Sequence, residues 1–406
     1  RARISRLSEA LNSEHALEPV VAGLPPEVVL QVSHMMKAER ERLTHAIEAY
    51  EEAKETKSPT ALKALVNHDL GLMLIVARIA NGFSQKDLAW RLGVKEQQIQ
   101  RWESERYGQI SLKNYHRVAA LLGVRPYADI PDQPAFRGLD MVIDDVSKAE
   151  IKKILKHGRN NGWFAEDFTE SELRRYIAEN RIDFGSPSLL RTGLNVEDHT
   201  EDVMLHAWRA RVSIRAREAF LNVEDIHEPL ELRWIPELVR LSREPNGPLK
   251  AVETLAKRGI VLVVEPQVPG LKIDGAAFLV DGRPVIGMTI RTDAVDNFWF
   301  TLLHELAHVT LHYYSGLSVG FFDQTDRDIS VDKQEEEANR FASNLLIPEE
   351  RWRRSTARIA KSPEVIERFA NDLGIHPAIV FGRIRKERGW SLFADKIGRN
   401  TVRELF

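Results

Sequence analysis

Residues 304–308 read His-Glu-Leu-Ala-His. In a helix, side chains four positions apart lie one above the other, so His304 and His308 can meet a single ion. Glu305 falls on the adjacent edge, where its carboxylate can take a proton from an attacking water instead of binding the ion. Two neutral nitrogen ligands, an open coordination position and a base beside it are the requirements of a metallohydrolase. The neighbours are apolar (Phe298, Trp299, Phe300, Leu302, Leu303, Leu306, Ala307, Val309), which predicts a buried helix over about 296–313. Histidines satisfied as ordinary core residues are the alternative. Burying two of them with a glutamate and no compensating partner would be costly.

A third protein ligand is needed, and His312 does not fit. It lies two turns beyond His304, about 12 Å along the axis, so the three histidines cannot share one ion. A place against the ligands, a place facing substrate, or plain packing remain for it. The next helix, predicted over about 332–346 and ended by Pro348, opens with Glu335, Glu336 and Glu337. Its apolar stripe Ala338, Phe341, Ala342 and Leu345 faces the core and puts Glu335 on the flank, with Asn339 one turn later. Three consecutive glutamates also suit a solvated helix start, and Asp332 with Glu335 suits a capping box.

Composition narrows the chemistry. The 406 residues contain no cysteine, so disulfides and thiolate-bound zinc are excluded and a transition metal must be held by His and carboxylates. Net charge is −3, with 43% hydrophobic and 29% charged residues, ordinary for a globular protein. That balance neither demands nor excludes a nucleic-acid partner, which needs only a local basic face. The opening Arg1-Ala2-Arg3-Ile4 is followed by no apolar run of a secretory leader. The most apolar stretch, Phe298–Tyr314, carries His304, Glu305, His308 and His312, which a membrane span rarely tolerates. The expectation is a cytoplasmic protein with no membrane partner.

Taken in order, His304-Glu-Leu-Ala-His308-Val-Thr-Leu-His312 and Glu335-x-x-Ala-Asn339-x-Phe-Ala-x-x-Leu-Leu-Ile-Pro348 resemble the ImmA/IrrE family of zinc metallopeptidases over roughly residues 255–350. The resemblance implies a zincin-like fold, a small sheet packed on the active-site helix, with Zn2+ as cofactor. It implies Glu335 as the third ligand, since the family's third ligand is the glutamate four residues before the Asn. It leaves Glu336 and Glu337 away from the ion, with Asn339 placed to orient a ligand by a hydrogen bond. Glu305 is then the catalytic base. Family members cleave a repressor protein and so relieve repression.

Upstream, residues 67–125 read as short helices. Leu70–Ala80 is one; Ser84 caps a second at Gln85; Gly93 makes a tight turn; Lys95–Glu103 and Ser111–Leu121 follow. Helices around a glycine turn suit a helix-turn-helix, and Phe83-Ser-Gln-Lys-Asp-Leu-Ala89…Leu92-Gly-Val94…Ile99-x-x-Trp102-Glu103 resembles the Xre/Cro family of repressors. Between Ser84 and Arg117 there are seven Lys or Arg against four Asp or Glu. Gln97, Gln98, Gln100 and Arg101 are of types that read major-groove edges. Gln85, Lys86 and Lys95 are candidate phosphate contacts, while Ile99 and Trp102 belong to the core. A helix-turn-helix used only for protein contact is the alternative.

The elements that must position these groups divide the chain into a helical arm (1–66), the helix-turn-helix (67–125), a helical middle region (136–242), the peptidase (250–350) and a basic helical tail (351–406). Tyr127–Pro134 reads as a linker, and Arg243–Pro248 as a break. In the peptidase, 259–264 is a short buried strand. Segments 276–280 and 284–290 form a hairpin about Asp281-Gly282-Arg283, and the strand near Gly275–Val280 is an edge able to hold an extended substrate by strand addition. The tail has helix–Gly–helix character at Phe369–Arg383, a possible second helix-turn-helix. The fold expected is mainly α and multidomain (α+β). Double-stranded operator DNA, a protein substrate (a repressor or the chain itself) and a homodimer are the expected partners. A repressor or antitoxin whose peptidase-like domain senses without cutting is the other reading; an intact Glu305 favours cutting.

Overall fold

The computed structural model describes residues 2–56, 70–124 except 105 and 109, 147–180, 189–191, 203–313 except 222 and 224–226, residue 317, and 331–406 except 397. The expected linker at Tyr127–Pro134 lies outside these residues. The chain forms two compact units, 1–12 with 36–135, and 13–35 with 136–406. The expected helical arm is therefore shared between them. Its main element, α3 (Pro26–Thr56), follows α1 (Ala2–Leu11) and α2 (Glu14–Val21).

In the first unit, α4 (Leu70–Ala80), α5 (Gln85–Leu92), α6 (Glu96–Ser104) and α7 (Leu112–Leu122) fall almost where the sequence places them. The local reasons are visible. Ser84 and Asp87 close a reciprocal capping box on α5, and Gly93 ends it at φ 67, a conformation that costs glycine no Cβ contact. Gly123 ends α7 in the same way at φ 72. Leu74, Leu88, Leu92, Ile99, Trp102, Val118 and Leu122 make the core. Across it Arg78 grips Glu103 with two hydrogen bonds, 2.6 and 2.9 Å.

The second unit is layered helix, sheet, helix. After α8 (Lys148–Asn160) and α9 (Glu170–Glu179) come β1 (Leu189–Arg191), α10 (Val203–Phe220), α11 (Ile235–Arg240) and α12 (Gly247–Ala256). Then follow β2 (Val261–Val264), β3 (Gly275–Val280) and β4 (Arg283–Met288), in the sheet order β1-β3-β4-β2. β4 runs parallel to β2 and antiparallel to β3. Asp281 and Gly282 both take positive φ, 51 and 78, the demand of a two-residue hairpin turn.

Alternation along the strands assigns two faces. Val261, Val263, Ala276, Phe278, Val280 and Val285 join α10 in one core with Trp208, and Gly287 leaves room for the Trp208 ring. The opposite face receives α13 (Val295–Leu311). Thus the middle region, expected as a separate helical stretch, supplies the cover of the sheet. The Arg243–Pro248 break is short, because Gly247 and Pro248 already open α12. β3 is also not an edge. β1 lies antiparallel to it, pairing Leu189, Leu190 and Arg191 with Ala277, Ala276 and Gly275.

Beyond α13 come α14 (Val331–Leu346), α15 (Glu349–Arg354), α16 (Pro363–Leu373) and α17 (Pro377–Arg388). The chain then returns to the start of α13. Ala294 bridges Arg399, Val295 donates to the Gly398 carbonyl, and Asp293 accepts from the Val402 and Arg403 amides. No helix among the described residues is long and apolar enough to cross a membrane.

Candidate functional site

The helix α13 is buried along nearly its whole length, with His304, Glu305 and His308 at 0% exposure. Sheet on one side and α14 and α17 on others leave it no solvated face. α14 is held by Ala338, Phe341 and Ala342, all fully buried, which turns its Glu335 flank toward the two histidines.

Three side chains from two helices then converge. Glu335 places Oε2 3.2 Å from His304 Nε2 and Oε1 3.2 Å from His308 Nε2. The two Nε2 atoms are themselves 3.2 Å apart. Burial raises the Glu335 carboxyl, but its hydrogen bonds to the two imidazoles outweigh that and bring it down to about 2. Burial pushes His308 down to about 4, so this imidazole is neutral and its nitrogen is a donor to a metal at ordinary pH. Tetrahedral zinc with bonds of about 2.0–2.1 Å holds its ligand atoms about 3.3 Å apart. The donor atoms already stand at nearly that spacing, and two nitrogens with one carboxylate match zinc's preference. Among the described residues these three are the one group of metal-binding type.

Glu305 lies against the sheet. A Cβ on Gly275 would stand 2.8 Å from Glu305 Oε1 and 3.0 Å from Thr301 Cγ2, so β3 passes the carboxylate at a distance only glycine permits. The arrangement offers an ion site, a carboxylate beside it and a backbone strand along it.

Behind the histidines is a chain of contacts that sequence reasoning half anticipated. His312, the C-cap of α13, puts Nδ1 3.0 Å from His308 Nδ1. Its Nε2 is 3.0 Å from Glu337 Oε2. Glu337, assigned no part from the sequence, is thus joined to the cluster. Asn339, expected against a ligand, is exposed, and no hydrogen bond links it to the cluster among the described residues. One turn beyond Glu335 carries it about 6 Å further along the helix, past the histidine pair. Glu336 is exposed and pairs with Arg340. Tyr313, the residue after His312, packs its ring on His227 at 5.5 Å. The side chain of Asp332, the other half of the expected capping box, lies outside the described residues.

On the helix-turn-helix, Lys86, Lys95, Gln97, Gln100 and Arg101 are exposed and Gln98 is half-buried. Gln85 is engaged, its amide donating to Glu103 Oε2 at 2.7 Å. Ile99 and Trp102 are core, at 0% and 4% exposure. In the tail, Gly374 at φ 73 joins α16 to α17, but the basic side chains there have intramolecular partners. Arg383 bonds Glu349, Glu387 and the Ile347 carbonyl, Arg385 bonds the Trp390 carbonyl, and Arg388 the Ala360 carbonyl.

These features agree with known families. Residues 256–380 match the family model of the M78 peptidases described as an IrrE N-terminal-like domain, and the match runs past 350 to take in α15 and α16. Residues 74–128 match a helix-turn-helix model. Neither a curated protein nor a solved structure matches the chain. The chain therefore carries a helix-turn-helix domain upstream of an IrrE N-terminal-like peptidase domain.

Proposed function

We propose that this protein is a DNA-binding transcriptional regulator fused to a zinc metalloendopeptidase, which cleaves a regulatory protein to change gene expression. The observation that carries the reading is the buried meeting of His304, His308 and Glu335 with Glu305 on the next helix position. His304, His308 and Glu335 would hold a zinc ion, which when bound would supply Lewis acidity to a peptide carbonyl and to water. Glu305 takes the water's proton and delivers it to the leaving amine. A site that only bound an ion would have no use for that carboxylate.

The substrate is a partner repressor or the chain itself, and β1 favours the second. Strand addition gives an extended peptide its main-chain partners. The place beside β3 is held by residues 189–191 of the same chain, with Arg191 opposite the glycine that touches Glu305. On the DNA side, exposed Gln97, Gln100 and Arg101 are the base-reading candidates, with Gln98 beside them. Lys86 and Lys95 are the phosphate contacts; Gln85 reaches phosphate only by leaving Glu103.

The test is Glu305→Gln, which is nearly isosteric and cannot accept the proton. Zinc content should be unchanged, while cleavage of the chain or its partner, followed by mass spectrometry and by a reporter gene, should fall by about 10²-fold or more. Glu335→Ala should abolish tight zinc binding. A zinc-loaded Glu305→Gln protein that derepresses like the native one would leave the sensor reading in place of the peptidase.

A further inference from the structure

We propose that Glu337 is a positioning residue for the metal centre, acting through His312 on His308. The inference rests on the reading of His304, His308 and Glu335 as metal ligands and adds a row of groups behind one of them.

The protons can be placed by elimination. His308 turns Nε2 toward Glu335 Oε1 and His304 Nε2, each 3.2 Å away, so Nε2 is the nitrogen that meets an ion and must be bare. A neutral imidazole then carries its proton on Nδ1. That N–H points at His312 Nδ1, 3.0 Å distant, which must accept and is therefore also bare. The His312 proton sits on Nε2 and is donated to Glu337 Oε2 at 3.0 Å. One arrangement of hydrogens satisfies the whole row, and the carboxylate at its end fixes the direction.

The surroundings fix the end of the row. Glu337 is tied by its backbone, since its carbonyl accepts from Gln31 Nε2 at 3.0 Å. A ligand imidazole whose far nitrogen donates toward a carboxylate is fixed in tautomer and ring orientation and is a stronger base toward the metal. Loss of such a partner typically weakens metal affinity about 10–100-fold. Here a second imidazole transmits the effect from helix to helix, from Glu337 on α14 to the ligand on α13.

The experiment measures zinc affinity of the full-length protein by competition with a chromogenic chelator. His308→Ala should abolish tight binding. Glu337→Ala and His312→Phe should each weaken it about 10–100-fold. The double variant should be no weaker than His312→Phe alone, because the groups act in series. Glu337→Gln, whose carbonyl can still accept the His312 proton, should recover part of the loss, and Glu336→Ala should bind as the native protein does. A structural defect would not move protons selectively, so nitrogen-15 NMR of the zinc-loaded protein supplies the second readout. Native protein should show His308 protonated on Nδ1 and His312 on Nε2, with the His312 signature altered by Glu337→Ala. Native zinc affinity in Glu337→Ala and His312→Phe, alongside loss in His308→Ala, would overturn the relay and leave the metal centre standing. Native affinity in His308→Ala would instead remove the metal reading on which the relay rests.

Discussion

Replacing Gly275 with alanine adds one methyl group at the point where β3 passes the metal-site helix. The ideal position of that carbon is 2.8 Å from Glu305 Oε1, 2.9 Å from Glu305 Cγ and 3.0 Å from Thr301 Cγ2. Carbon contacts normally begin near 3.5 Å, so three atoms on two successive turns of α13 must each retreat by about 0.5 Å or more. Glu305 is fully buried and Thr301 likewise, leaving no solvent into which either can swing. Overpacking of this kind costs about 1–3 kcal/mol, to be read from denaturant unfolding of the variant against native protein. The effect on cleavage should be larger in proportion. A displacement approaching 1 Å in a reacting group costs on the order of 10²-fold in rate, and the group displaced is the proposed base. Zinc content should hold, because His304, His308 and Glu335 lie outside the contact. The assay is therefore triple: zinc by elemental analysis, stability by urea, and cleavage of the chain by mass spectrometry with a reporter gene alongside. A Gly275→Ala protein as stable and as active as native would refute the close approach of β3 to Glu305.

Other outcomes follow from the structure. Gln98→Ala and Arg101→Ala should each lower affinity for a specific operator, by about 1–3 kcal/mol where a bidentate base contact is lost. Lys95→Ala should weaken all sequences alike and flatten the salt dependence, as binding isotherms at several salt concentrations would show. His227 gives a pH dependence: burial pushes it down to about 4 from 6.5, so it is neutral in the fold and charged in the unfolded chain below 6.5. Its contribution is complete above that value and lost as pH falls from 6.5 toward 4, on the order of 3 kcal/mol in all. His227→Gln should flatten the acid limb of the stability curve over that window, and an unchanged limb would remove His227 as its source.

Much of the site was legible because it is local. His304 and His308 share a helix face by spacing alone, while choosing Glu335 among three glutamates rested on the family resemblance. Ser84, Gly93 and Gly123 announce the helix-turn-helix ends through cap chemistry that needs no tertiary context. What escaped was the work of packing between distant segments. α10 buries Met204, Leu205, Trp208, Val212 and Ala216 around much of its circumference, so its sequence carries no clear stripe to name the sheet as its partner. β1 is three residues long, too short for a period-two pattern to register. Glu337 sits in a run of three glutamates that differ only in direction, and direction is set by where α14 docks. Asn339, one turn beyond Glu335 on the same helix, is exposed.

The clamp of residues 398–403 on the start of α13 has a consequence for timing. Ala294 pairs with a residue 105 positions later, Arg399. At synthesis rates of roughly 5–20 residues per second, roughly 5–20 s separate the appearance of the two on the ribosome. During that interval the segment bearing His304, Glu305 and His308 lacks the contacts that hold its first turn in place. The first turn of the helix that carries the site thus gains these contacts only after residues 398–403 have been made.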